Sequence, residues 1–141
     1  MLTARACGSF AAEDVEVMLQ RTGGHPFLLQ LLASRLFESR DLAATLDQLA
    51  ADEMVANYFA VDFATLAEGE RAVLAEIARE GQRTRPELAR ALARPEDDLD
   101  APLYGLSMLG YLVREGDAYR LGSWFFERWL RRRVAAAARL A

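Results

Sequence analysis

Residues 22–32 read Thr-Gly-Gly-His-Pro-Phe-Leu-Leu-Gln-Leu-Leu, a glycine stop followed directly by an apolar helix start. Glycine ends a helix cheaply because it takes the left-handed backbone conformation without a Cβ clash. Pro26 fits the first helical turn, where its missing N–H would lack a partner anyway. The helix that follows spans about 26–39. Phe27, Leu28, Leu29, Leu31, Leu32, Leu36 and Phe37 cover most of its circumference, leaving Gln30, Ser34 and Glu38 as a polar line with Arg35 beside it. A helix this apolar belongs at the centre of a bundle.

The elements on either side follow from the same signals. Upstream, a helix over about 11–21 is expected, capped by Ser9 after a loose entry at 1–8, with Val15, Met18 and Leu19 on one apolar face. Downstream, a helical stretch over 41–65 breaks near Ala51-Asp52. Tyr58, Phe59 and Phe63 form an aromatic cluster leading into the second half. Leu66–Arg79 is a helix burying Val73, Leu74 and Ile77 and stopped by Gly81. Thr84 and Glu87 are spaced as a capping box, opening a short helix that buries Leu88 and Leu92. A further helix covers about 97–109, with Pro102 kinking it or delaying its start. Tyr111–Arg114 and Ala118–Leu121 flank Gly116 as a β-hairpin. Ser123 caps a last helix with Phe125, Phe126, Trp129, Leu130 and Val134 on one side, and Glu127, Arg128, Arg131 and Arg132 on the other.

Three helices, a hairpin and a closing helix give the order of a winged-helix domain. The expected fold is mainly α: a small helical lid-like bundle over 1–62, then a winged-helix domain over 63–141 with one β-hairpin wing. Trp124, Phe125, Phe126 and Trp129 are expected to close the core of that second domain.

Composition limits the chemistry. The chain has 141 residues, 52% of them hydrophobic, and a net charge of −4. That supports a packed core rather than disorder, and an acidic balance argues against general nucleic-acid affinity. The charge is uneven, −5 over residues 1–62 and +1 over 63–141. All 17 basic residues are arginine, so the lysine of a phosphate-binding P-loop does not exist here. One histidine and one cysteine cannot build a zinc cluster. Asp97-Asp98 follows no apolar strand and is no Mg²⁺-holding pair. His25 has no nucleophile motif near it. The chain is therefore read as non-catalytic, with no cofactor or metal bound by this chain alone. No apolar run or signal pattern directs it to a membrane, and the expected compartment is the cytoplasm.

Two regions stand out as candidate contact sites. Gly24, His25 and Pro26 form the first. His25 is either a helix-entry histidine bonded to backbone or the rim of a ligand pocket. The arginines form the second, with Arg114 and Arg120 on the hairpin and Arg128, Arg131 and Arg132 on the last helix, as an interaction surface. DNA is a disfavoured partner: Glu96, Asp97, Asp98 and Asp100 open the helix that would read bases, and phosphate repels them. Arg83, Arg85, Arg90 and Arg94 read as a solvated edge.

The segments TGGHPFLLQLLASRLFE, ERAVLAEIA and GYLVREGDAYRLGSWFFERWLRRR resemble the C-terminal half of bacterial STAND-type, AAA+-like P-loop signalling ATPases. The resemblance covers most of the chain. It implies a lid and winged helix that close over ATP or ADP with Mg²⁺, held by a P-loop domain outside these residues, in cis or in trans. Gly24-His25-Pro26 matches the family's Gly-x-Pro signature, whose neighbours lie near the nucleotide base. The family's phosphate-sensing histidine in the winged helix has no counterpart here, since His25 is the only histidine. The alternatives are a stand-alone winged-helix DNA-binding regulator, or an adaptor that binds protein partners or a second copy.

Overall fold

The computed structural model describes residues Phe10–Leu140. Among them are eight α-helices, a short 3₁₀ turn and one three-stranded antiparallel sheet. The predicted entry segment and the Ser9 cap lie outside the described residues. The described chain divides into two compact units, one running to Tyr58 together with Ser123–Phe125, the other comprising Phe59–Gly122 and the residues from Phe126 on.

In the first unit, α1 (Ala12–Thr22) ends at Gly23, which sits at φ 65° in the left-handed region. Met18 is buried, while Leu19, expected beside it, is 46% exposed. Helix α2 (Pro26–Ser39) begins at the proline, and Leu28, Leu32 and Leu36 are buried along it. Phe37 is not part of the core: it is half-exposed, with the Arg40 guanidinium over its ring at 4.8 Å. Helix α2 ends without glycine, Arg40 itself adopting φ 61°. Helices α3 (Leu42–Ala50) and α4 (Glu53–Ala64) confirm the expected break at Ala51-Asp52.

Asp52 makes that break. Its carboxylate accepts the N–H groups of Met54 at 2.8 Å and Val55 at 3.2 Å, and pairs with Arg35 at 2.8 Å. Burial alone pushes the Asp52 carboxyl up, but the Arg35 bond and the two backbone N–H groups outweigh it and hold its pKa below the usual range. A depressed folded-state pKa contributes stability that is complete above the unfolded value of about 3.9 and is lost as pH falls through the lower folded value. Asp52→Asn keeps a capping oxygen and loses the charge. The variant is expected to be less stable than the parent at pH 7, with the gap closing below about pH 3.9. Urea unfolding across pH 7 to 2 measures this, and a gap that stays constant would refute a charge effect.

The second unit holds α5 (Glu68–Glu80), β1 (Gln82–Thr84), α6 (Arg85–Leu92), the 3₁₀ turn Glu96–Leu99, α7 (Asp100–Met108), β2 (Leu112–Glu115), β3 (Ala118–Leu121) and most of α8 (Trp124–Leu140). The expected hairpin is present. Its two-residue loop is Gly116-Asp117, with Gly116 at φ 62°, the pattern of a type II′ turn. The third strand was not expected from the sequence. β1 pairs antiparallel with β3 through Gln82↔Arg120 and Thr84↔Ala118, so the sheet order is β1-β3-β2. The capping box is also present: Thr84 Oγ1 accepts from Glu87 N–H at 3.3 Å, and Glu87 Oε1 accepts from Thr84 N–H at 2.9 Å. These bonds hold the Glu87 carboxyl below its usual range. Pro102 delays α7 rather than kinking it. The chain makes the 3₁₀ turn first, and the proline then sits in the first α-helical turn, where no intrahelical N–H is needed.

The core of this unit is built from α5 and the elements packed on it. Val73, Leu74, Ile77, Leu88 and Leu106 are fully buried, whereas Leu92 is only partly so. The aromatic cluster expected at 58–63 is divided. Phe59 and Phe63 meet Phe126 and Trp129 in this unit, with ring centroids 5.3 to 6.4 Å apart, while Tyr58 packs elsewhere. Trp124 and Phe125 correct a second expectation. They group with the first unit, where Trp124 lies 4.7 Å beneath the Arg21 guanidinium and the Ser123 hydroxyl donates to the Arg21 carbonyl at 3.5 Å. Gly122 is required by close approach, because a Cβ there would stand 2.7 Å from the Gly110 carbonyl oxygen.

Candidate functional site

The Gly-Gly-His-Pro turn is fixed by its own backbone. The Gly24 N–H reaches the Leu19 carbonyl and the Thr22 hydroxyl, both at 3.2 Å, and the His25 N–H reaches the Thr22 carbonyl at 3.2 Å. The buried Thr22 hydroxyl in turn donates to the Met18 carbonyl at 2.8 Å. Gly24 sits at φ 75°, and a Cβ there would meet nothing within 4 Å. Backbone conformation, not crowding, calls for glycine at this position.

His25 occupies the N-cap of α2 by its backbone alone, since its side chain makes no cap hydrogen bond. The imidazole turns to α4 instead. Its Nε2 shares a hydrogen bond with the Tyr58 hydroxyl at 3.1 Å, and the two rings meet edge-on, 5.4 Å apart. Phe27 stacks on the same tyrosine at 4.6 Å and 23°. Nδ1 of His25 is buried without a hydrogen-bond partner. An unsatisfied buried polar atom is uncommon in a folded protein, and this one lies within an aromatic set of three rings. The sequence placed His25 correctly at a helix entry but gave no sign of Tyr58, 33 residues away, as its partner. The His25 backbone caps the helix entry as expected, and its ring is tied to a tyrosine.

Arg114 and Arg120 do not share one face of the hairpin. In the hairpin register, Val113 faces Arg120 and Arg114 faces Tyr119. Side chains alternate along a strand, so Arg114 and Arg120 project from opposite faces of the ribbon. Arg114 donates to the Gly116 carbonyl at 3.0 Å and lies over Tyr119. Arg120 pairs with Glu115 at 2.5 Å and donates to the Leu121 carbonyl at 3.1 Å. On α8, the Arg131 Nε donates to the Ala78 carbonyl at 2.7 Å, tying the helix to the end of α5. Arg128 is partly buried and Arg132 is exposed. Of the predicted basic edge, Arg85 is held by Asp100 at 2.7 Å and Asp97 at 3.4 Å. Arg83 is drawn into a carboxylate cluster with Glu76, Glu80 and Glu87.

Among the described residues, no cluster of three or more His, Cys, Asp or Glu side chains could hold a metal ion. No described helix is long and apolar enough to cross a membrane. Compared with known proteins the chain has no match: no family model, no curated protein and no solved structure aligns with it significantly.

Proposed function

We propose that this chain is the non-catalytic, regulatory part of a nucleotide-dependent signalling switch, a lid-like helical bundle followed by a winged-helix domain. The P-loop that holds ATP or ADP with Mg²⁺ belongs to a separate domain, in cis or in trans. Within this chain, Gly24, His25 and Pro26 form the turn that approaches the nucleotide. The observation that carries the assignment is the aromatic set at that turn. Phe27 and Tyr58 are stacked and His25 is hydrogen-bonded to the tyrosine, next to a glycine with open space beside its Cα. Stacked, amphipathic rings beside an exposed backbone are suited to a flat heteroaromatic base.

The order α5-β1-α6-α7-β2-β3, with sheet order β1-β3-β2, supports the winged-helix assignment of the second unit. A DNA-binding role is disfavoured by the same elements. Helix α7, in the reading position, contains no basic residue, and its approach is lined by Glu96, Asp97, Asp98 and Asp100.

The native protein, isolated from its source cell with an antibody to residues 10–140, tests this. It is expected to bind a fluorescent ADP analogue. Pro26→Ala should weaken that binding by about tenfold, equivalent to about 1.4 kcal/mol, with the far-UV circular dichroism of the protein unchanged. Absence of ADP binding by the native protein together with the partners that co-purify with it would reject the switch. Binding that Pro26→Ala leaves untouched would reject the turn's role in it.

A further inference from the structure

The second unit leaves one helix face uncovered. On α7, Tyr104 is 70% exposed and Met108 69%, and the adjoining Leu109 is 67% exposed. Ala101, Tyr104 and Met108 are spaced by three and four residues, which places them in one row on the helix surface. The opposite side of the same helix holds Leu103 and Leu106, both buried. Amphipathic packing is therefore already satisfied by the core, and the outer row is a second apolar stripe. Single exposed apolar residues are ordinary, but a contiguous row on one helix is the form that helix-in-groove recognition uses.

Charge at the ends of the stripe selects its occupant. Its N-terminal end carries Glu96, Asp97, Asp98 and Asp100, all exposed. The nearby Arg85 bonds to Asp97 and Asp100. The Glu70 carboxylate flanks the middle of the stripe, where its Oε2 would stand 3.3 Å from a Cβ at Gly105. The exposed acidic cluster is at its N-terminal end.

We infer that the Ala101–Tyr104–Met108–Leu109 face of α7 docks an amphipathic helix of a partner protein, one with an apolar face and a cluster of arginines or lysines at the end that meets Glu96–Asp100. Burial of the tyrosine and methionine supplies affinity, and the carboxylates set orientation and association rate. A nucleic acid is excluded as occupant by the same carboxylates. This docking does not depend on nucleotide binding at the turn in the first unit.

Two fluorescent helical peptides test it on the full chain by anisotropy. Both have leucines at helical spacing on one face. One ends in four arginines and the other in four glutamates. The basic peptide is expected to bind saturably, at least about tenfold more tightly than the acidic one, and more weakly as salt rises. Tyr104→Ala with Met108→Ala should weaken it by about tenfold or more, and Asp97→Asn with Asp98→Asn should narrow its advantage over the acidic peptide. All four positions are exposed, so thermal melts of the variants should match the parent. Equal binding of the two peptides, no binding of either, or full binding by the Tyr104/Met108 variant would overturn the inference. So would a dimer in sedimentation that Met108→Glu dissolves, because the stripe's occupant would then be a second copy.

Discussion

Replacing Phe126 by alanine is expected to destabilise the second unit by about 3–5 kcal/mol, the cost of emptying a buried aromatic site. Phe126 is 3% exposed and is in ring contact with Phe59, Phe63, Tyr111 and Trp129. Four aromatic neighbours cannot collapse into the cavity without abandoning their own packing. Trp129, expected in the same core, is only partly buried, with Arg133 over its ring at 5.3 Å. Trp129→Ala should therefore cost less than Phe126→Ala. Against a typical total of about 5–15 kcal/mol, the phenylalanine variant should melt well below the parent. Denaturant titrations of the two variants decide it, and equal losses would show that burial does not rank them.

Glu76→Ala should cost about 1.5–3 kcal/mol, the range for hydrogen bonds to a charged group. This carboxylate is 6% exposed, an unusual site for a charge. It is satisfied by Arg79 at 2.6 Å and by Arg83 through Nε at 3.2 Å and a second nitrogen at 3.1 Å. Arg83 sits in β1, so the pair fixes that strand to α5. Glu76→Gln retains the size and the acceptor oxygen and should recover part of the loss. If Gln is as damaging as Ala, the charge and not the hydrogen bond is what matters. If neither variant loses stability, the cluster is incidental to the fold.

Local chemistry made much of this fold legible. Gly23 and Pro26 bracket a turn whose reasons are all within a few residues, and the helix begins where the proline requires. The same holds for the Thr84–Glu87 box and the Gly116 turn, each a contact between residues at most three apart. What stayed hidden depends on distant partners. Three residues, Gln82-Arg83-Thr84, carry no strand signal of their own, and become β1 only because β3 presents a free edge. The His25–Tyr58 bond and the division of Tyr58 from Phe59 depend on which helix faces which. Neighbours on α4 turn to different units because adjacent helical residues point about 100° apart. Arg40 and Ala93 end their helices at positive φ without glycine, which sequence signals for helix stops do not register.

The sheet order also sets a sequence of events. Strands β2 and β3 are joined by two residues, and a hairpin of that kind closes in about 1–10 μs. Strand β1 lies more than thirty residues away from β3 along the chain, so the loop it closes carries a larger entropy cost. With only three residues to pair, β1 cannot offset that cost before α6 and α7 have packed between the two ends of the loop. The hairpin should therefore acquire hydrogen-exchange protection before Arg83 does during refolding, and the Glu76–Arg83 pair becomes a late-forming latch on a domain already collapsed around α5.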